Sequence, residues 1–118
     1  MVQPIPEPWR KRVIAALRTG DDKVIGWTPL ALQRWKADTF GAWKFEAYEA
    51  VIAALSTSDV AGNETSALQG QRAVYEFLFT YSPQNGEERN TMYGKIALKG
   101  DGVRILILSA HNAERSSL

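Results

Sequence analysis

The sequence predicts an α+β domain, with N-terminal helices packed on a C-terminal antiparallel β-sheet. Two observations carry this expectation. Apolar residues recur at helical spacing through the first half of the chain, and aromatic and β-branched residues crowd into short runs from residue 71 onward. The order is therefore three helices and then three strands, which suits an antiparallel meander and not a parallel sheet of alternating strands and helices. At 118 residues the chain fits one domain, with a helical half over about 8–59 and a sheet half over about 71–111.

The first eight residues hold three prolines and read as an irregular arm. In "EPWRKRVIAALRTG", Pro8 suits the first turn of a helix, where its missing N–H costs nothing. Trp9, Val13, Ile14 and Leu17 then share one stripe, and Gly20 is a natural stop. Lys23–Gly26 reads as a short extended piece. Thr28 and Pro29 give the N-cap and first turn of a second, short helix that ends near Phe40 and Gly41. The clearest helix is "WKFEAYEAVIAALSTSD", with Phe45, Tyr48, Ile52 and Leu55 at alternating spacings of three and four. Val60–Gln71 is polar, contains Gly62, Asn63 and Gly70, and reads as a loop.

"RAVYEFLFTY" changes the period to two. Ala73, Tyr75, Phe77, Phe79 and Tyr81 fall on a core face, and Arg72, Val74, Glu76, Leu78 and Thr80 on a mixed one. After the polar loop "SPQNGEERN", the stretch "YGKIALK" puts Ile96 and Leu98 on one face and Tyr93, Lys95, Ala97 and Lys99 on the other. "GDG" has the residues of a hairpin turn, and "VRILILSA" is apolar on both faces, as expected of a central or covered strand. His111 is expected just past its end, with "HNAERSSL" as a final turn of helix or a frayed end.

Composition bounds the chemistry. The chain has no cysteine and one histidine, so thiolate sites and disulfides are excluded and a zinc site is not expected. A net charge of +1 argues against broad coating of nucleic acid while leaving room for a local basic patch. Nothing at the N-terminus reads as a signal peptide and no apolar run is long enough to span a bilayer. A soluble cytoplasmic protein with no membrane partner is the expectation.

One merged polar sheet face would bring Tyr93, Lys95 and Lys99 near Arg72, Glu76 and Thr80, with His111 close by. This set fits cofactor-free RNA cleavage. The 2′-hydroxyl attacks its own phosphodiester, so the protein supplies only a base, an acid and cations for the crowded phosphate. A histidine is the natural acid or base at neutral pH. The same residues also have plain roles. Lys95 and Lys99 would keep an exposed strand soluble, His111 would be a surface histidine, and Tyr93 would pack at a strand start. Glu76 faces either water or a cleft, Glu64 reads as a loop residue, and the four tryptophans read as helix packing.

The order of "RVIAALRTG", "TPLALQRW", "FEAYEAVIAALSTSDV" and "YGKIALKGDGVRILILSAH" resembles the MqsR toxins, members of the wider RelE-like ribonuclease fold. The resemblance spans most of the chain. It implies a RelE-like or microbial-RNase-like fold, a toxin of a toxin–antitoxin pair that cuts messenger RNA without metal, and a cognate antitoxin as partner. Tyr93 and Lys95 match the family's Tyr-x-Lys-Ile strand. His111 stands where the family has a lysine after its last strand, and Gln84 is a loose counterpart of the family's glutamine before the tyrosine strand. The lysine after Ser-x-Ser-Asp has no match here, the first basic residue being Arg72. The polar face and the resemblance together give an expected catalytic set of His111, Tyr93, Lys95 and Glu76, with Arg72, Lys99, Thr80 and Gln84 holding substrate. The residues themselves leave a second function open: a non-catalytic protein-binding module of a phage or immunity type on the same fold. An RNA binder that does not cut is a third.

Overall fold

A computed structural model describes residues 2–83 and 89–114. Gln84 lies outside the described residues. The element order is β1 (Gln3–Pro4), α1 (Glu7–Thr19), β2 (Ile25–Trp27), α2 (Pro29–Asp38), α3 (Lys44–Leu55), β3 (Ala61–Thr65), β4 (Gln71–Tyr81), β5 (Asn90–Lys99) and β6 (Ile105–Asn112). The architecture is α+β, with three helices and one six-stranded sheet ordered β1-β3-β4-β5-β6-β2. The expected separation into a helical half and a sheet half needs correction, because β1 and β2 lie among the helices and join the two edges of the sheet. The sheet is also not wholly antiparallel, since β2 runs parallel to β6.

Local chemistry sets the helix ends. Gly20 closes α1 at φ 59°, a left-handed cap that glycine adopts without steric cost. The Thr28 side chain accepts from the Ala31 N–H and opens α2. The Glu46 carboxylate accepts from the Trp43 N–H at 2.8 Å and steadies the start of α3. The buried stripe of α3 is Tyr48, Val51 and Leu55, with Ala47 beside it, so the expected phase is rotated and Phe45 is left exposed.

The helices pack on one face of the sheet, where Trp9, Val13, Leu17, Trp35, Tyr48, Val51 and Leu55 meet Phe77, Phe79, Tyr81, Met92, Ile96 and Ile107. Aromatic edges lock the layers: Trp9 lies 5.0 Å from the Tyr75 ring and Trp35 5.1 Å from the Tyr81 ring. Gly94 makes room for this core, since a Cβ there would sit 3.0 to 3.1 Å from the Phe77 and Phe79 rings.

Three segments differ from the sequence reading. The proline-rich arm contributes β1, and the polar stretch after α3 contains β3, paired through Asn63↔Glu76. Gly62 permits this packing: a Cβ there would press into the carbonyl oxygen of Glu76 and lie 2.9 Å from Ile5 Cδ1. The last strand begins and ends two residues later than expected, so His111 and Asn112 belong to it.

Candidate functional site

The face of the sheet opposite the helices carries the polar side chains of β3 to β6, and two β-bulges decide which residues reach it. In β6, Ile105 and Ile107 pair with Leu98 and Ile96 on the core side. Strict alternation would put His111 on that side too, because it is four residues beyond Ile107. The register shifts between Lys95↔Ser109 and Ile96↔Ile107, leaving Leu108 as the extra residue. Past this bulge the parity is reversed. Ala110 turns into the core, and His111 lands opposite Tyr93 on the open face.

The centre of the site is then a chain of contacts across four strands, β3 to β6. Tyr93 Oη donates to Glu76 Oε2. The Tyr93 ring lies 5.2 Å from the His111 ring, tilted by 33°. The other Glu76 oxygen, Oε1, accepts from Asn63 Nδ2 at 3.2 Å. His111 Nδ1 lies 2.8 Å from the Asn112 carbonyl oxygen. A carbonyl can only accept, so Nδ1 carries the proton and Nε2 is left for other work. Lys95 stands directly opposite Glu76 on one side and Ser109 on the other. Lys95 and Lys99 enter no ion pair among the described residues.

Glu76, Tyr93, Lys95 and His111 are thus brought together. Thr80 is exposed farther along β4, opposite Thr91. Arg72 departs from its expected place: it is the extra residue of a second bulge, between Gln71↔Lys99 and Ala73↔Leu98, and it reaches the Gly100 carbonyl at 3.5 Å. With Lys99 it forms a separate group at the far end of the strands. Asn63 is a site residue that the sequence reading missed, because "AGNET" is a poor strand sequence and its glutamate partner is distant in the chain. Asn63 Oδ1, opposite Glu76, and Thr65 Oγ1, opposite Val74, are buried with no hydrogen-bond partner.

No family model, curated protein or solved structure matches this chain. Its chemistry rests on the geometry above. Among the described residues no group of three or more His, Asp or Glu side chains could hold a metal ion, and no helix is long and apolar enough to cross a membrane.

The electrostatics assign Tyr93 a definite state. Burial, then the hydrogen bond to Glu76, then the Glu76 charge push its phenol well above the ordinary range. It is a neutral donor to a carboxylate and not a base. The other three tyrosines are shifted in the same direction: Tyr48 by burial, Tyr75 by burial and the Glu64 charge, and Tyr81 by burial and its bond to Glu46. A raised folded pKa means that the folded state holds the proton more tightly. That contribution to stability is complete below about pH 10, where unfolded tyrosine ionises, and is lost as pH climbs through the folded values. Alkaline titration should therefore show phenolate absorbance displaced upward and rising together with loss of helical circular dichroism. A tyrosine that ionises at the ordinary value in an intact fold would contradict these environments.

Proposed function

We propose that this protein is a metal-independent endoribonuclease, the toxin of a toxin–antitoxin pair, that cuts messenger RNA by attack of the 2′-hydroxyl on the adjacent phosphodiester. The observation that carries the reading is the convergence of Glu76, Tyr93 and His111 on one uncovered sheet face beside Lys95. In this reading Glu76 takes the 2′-hydroxyl proton as the O2′–P bond forms. His111, protonated, gives its Nε2 proton to O5′ as the P–O5′ bond breaks. Lys95 offsets charge on the phosphate, and Tyr93 with Asn63 holds the Glu76 carboxylate in place. The products are a 2′,3′-cyclic phosphate and a 5′-hydroxyl. The MqsR-like arrangement of segments supports the RelE-like reading, messenger RNA as substrate and an antitoxin as partner. The experiment is incubation of purified wild-type protein with messenger RNA in a chelator, with the new ends identified chemically. Folded protein that leaves RNA intact would sink the proposal.

A second reading, a non-catalytic protein-binding module, is favoured by the α2–α3 connection. Phe40 is 99% exposed and Trp43 70% exposed, with Phe45 next to them. Phe40 also has φ 56°, a left-handed conformation unusual for a bulky side chain, and Gly41 follows at φ 87°. A fully exposed aromatic in a strained turn contributes little to the fold. Phe40→Gly is therefore expected to leave thermal stability unchanged or raise it by up to about 1 kcal/mol, since the left-handed strain and the loss of chain entropy on folding oppose each other. A clear loss of stability on calorimetry would show that the Phe40 ring packs within the fold. Under the second reading, the same substitution would abolish a stable complex with the partner while RNA stays uncut by either protein.

A further inference from the structure

We propose that the β5–β6 turn carries a phosphate-binding site built by Arg12 and Arg72, which takes a backbone phosphate of the same RNA strand at a distance from the cut. The inference rests on the ribonuclease reading for the identity of the ligand. Its geometry is independent of Glu76 and His111.

Two arginines from distant parts of the chain meet at Gly102. Arg12 Nη1 donates to the Gly102 carbonyl at 2.9 Å, and Arg72 Nη2 to the Gly100 carbonyl at 3.5 Å. A Cβ built on Gly102 would lie 2.7 Å from Arg12 Nη1 and 3.1 Å from Arg72 Nη1, so these nitrogens are at most about 6 Å apart. Two like charges at that spacing repel unless an anion lies between them. No carboxylate serves them among the described residues. The nearest in sequence, Asp101, is committed: Oδ1 accepts from the Val103 and Arg104 N–H groups, and Oδ2 from Arg104 Nε. That bonding holds the Asp101 carboxyl well below its usual range, so it stays an anion satisfied within its own turn.

Each guanidinium has five N–H donors and spends one here on a carbonyl. The carbonyls anchor both groups, and the remaining donors suit the oxygens of a phosphate. Lys99 lies at the same end of the sheet, opposite Gln71, and Lys95 stands level with Glu76, so cations mark both the turn end and the catalytic centre. Arg72 and Glu76 are four residues apart on β4, about 13 Å of extended strand, which a few nucleotides can span.

The test uses a 2′-O-methyl octaribonucleotide, which cannot be cut because its nucleophile is blocked, and a dinucleoside monophosphate that covers only the scissile bond. Wild type is compared with Arg12→Ala/Arg72→Ala and with Arg18→Ala/Lys36→Ala, which removes equal charge elsewhere. The first double variant should bind the octamer at least 10-fold more weakly, with a salt slope shallower by about 0.7, the share of one phosphate on a single strand. It should cleave the dinucleotide at the wild-type rate, and the control should match wild type. Unchanged octamer binding, or an equal loss in the control, overturns the site. Saturation of the arginine resonances by inorganic phosphate without any preference for the octamer overturns its assignment to RNA. Octamer binding that needs the arginines, in a protein that cuts nothing, keeps the site and rejects the ribonuclease. Cleavage of long RNA that is indifferent to the arginines does the reverse.

Discussion

Glu76→Gln is expected to reduce RNA cleavage about 10²- to 10⁴-fold while leaving the fold intact, the range that loss of a positioned proton acceptor produces. The amide keeps the shape of the carboxylate. Its oxygen can still accept from Tyr93 or Asn63, but it cannot take the 2′-hydroxyl proton. Neighbouring substitutions separate the roles. Tyr93→Phe removes a donor from Glu76 and keeps the ring against His111. It should lower the rate less than Glu76→Gln does, because the carboxylate keeps the oxygen that takes the proton and loses only one of the contacts that position it. His111→Ala should match Glu76→Gln in size if the two act as an acid–base pair. The measurement is single-turnover cleavage by purified variants whose circular dichroism matches wild type. Wild-type rates from a folded Glu76→Gln protein would remove Glu76 from the chemistry.

The largest effect on stability is expected at Trp35. It is fully buried, stacks edge-on at 5.1 Å from Tyr81, and donates its indole N–H to the Ala42 carbonyl at 3.2 Å. Through that bond one side chain holds the α2–α3 connection onto the end of the sheet. Trp35→Ala should cost about 3–5 kcal/mol, the usual loss for truncating a buried aromatic. That is a large share of the 5–15 kcal/mol typical of a domain, so the variant should be partly unfolded at physiological temperature. Trp35→Phe keeps most of the apolar volume and drops the hydrogen bond, so its loss should be clearly smaller. Urea unfolding with a shared m-value is the check. Equal midpoints for Trp35→Ala and wild type would mean that the indole is not a core anchor.

The same region shows why one tryptophan differs from another. Trp9 and Trp35 recur on helical stripes with apolar neighbours, and both are buried. Trp43 lies in the connection before α3, where periodicity carries no information about facing, and it is largely exposed. Phe45 sits three residues before Tyr48, at the spacing of the α3 stripe, and is exposed. The buried series is Tyr48, Val51 and Leu55, and two overlapping series at spacings of three and four can be told apart only by the surface that the helix meets.

The amino-acid order alone specifies the three helices, the two long strands around Phe77 and Ile96, and the caps at Gly20 and Thr28. Each of these is written in local periodicity or in the conformational preference of a single residue. It also placed Glu76, Tyr93 and Lys95 on one polar face, because alternation holds along unbroken strands. The remaining features come from long-range packing. Strand β3 exists because Gly62 lets it approach Glu76 closely, and its own polar residues would not have made it a strand. Asn63 joined the site by that route. The position of His111 was settled by one extra residue, Leu108, in the pairing of β5 with β6. A side-chain period of two means that one bulge exchanges the faces for everything beyond it, and a bulge is a property of two strands in register. No reading of one strand alone could have turned His111 toward Tyr93.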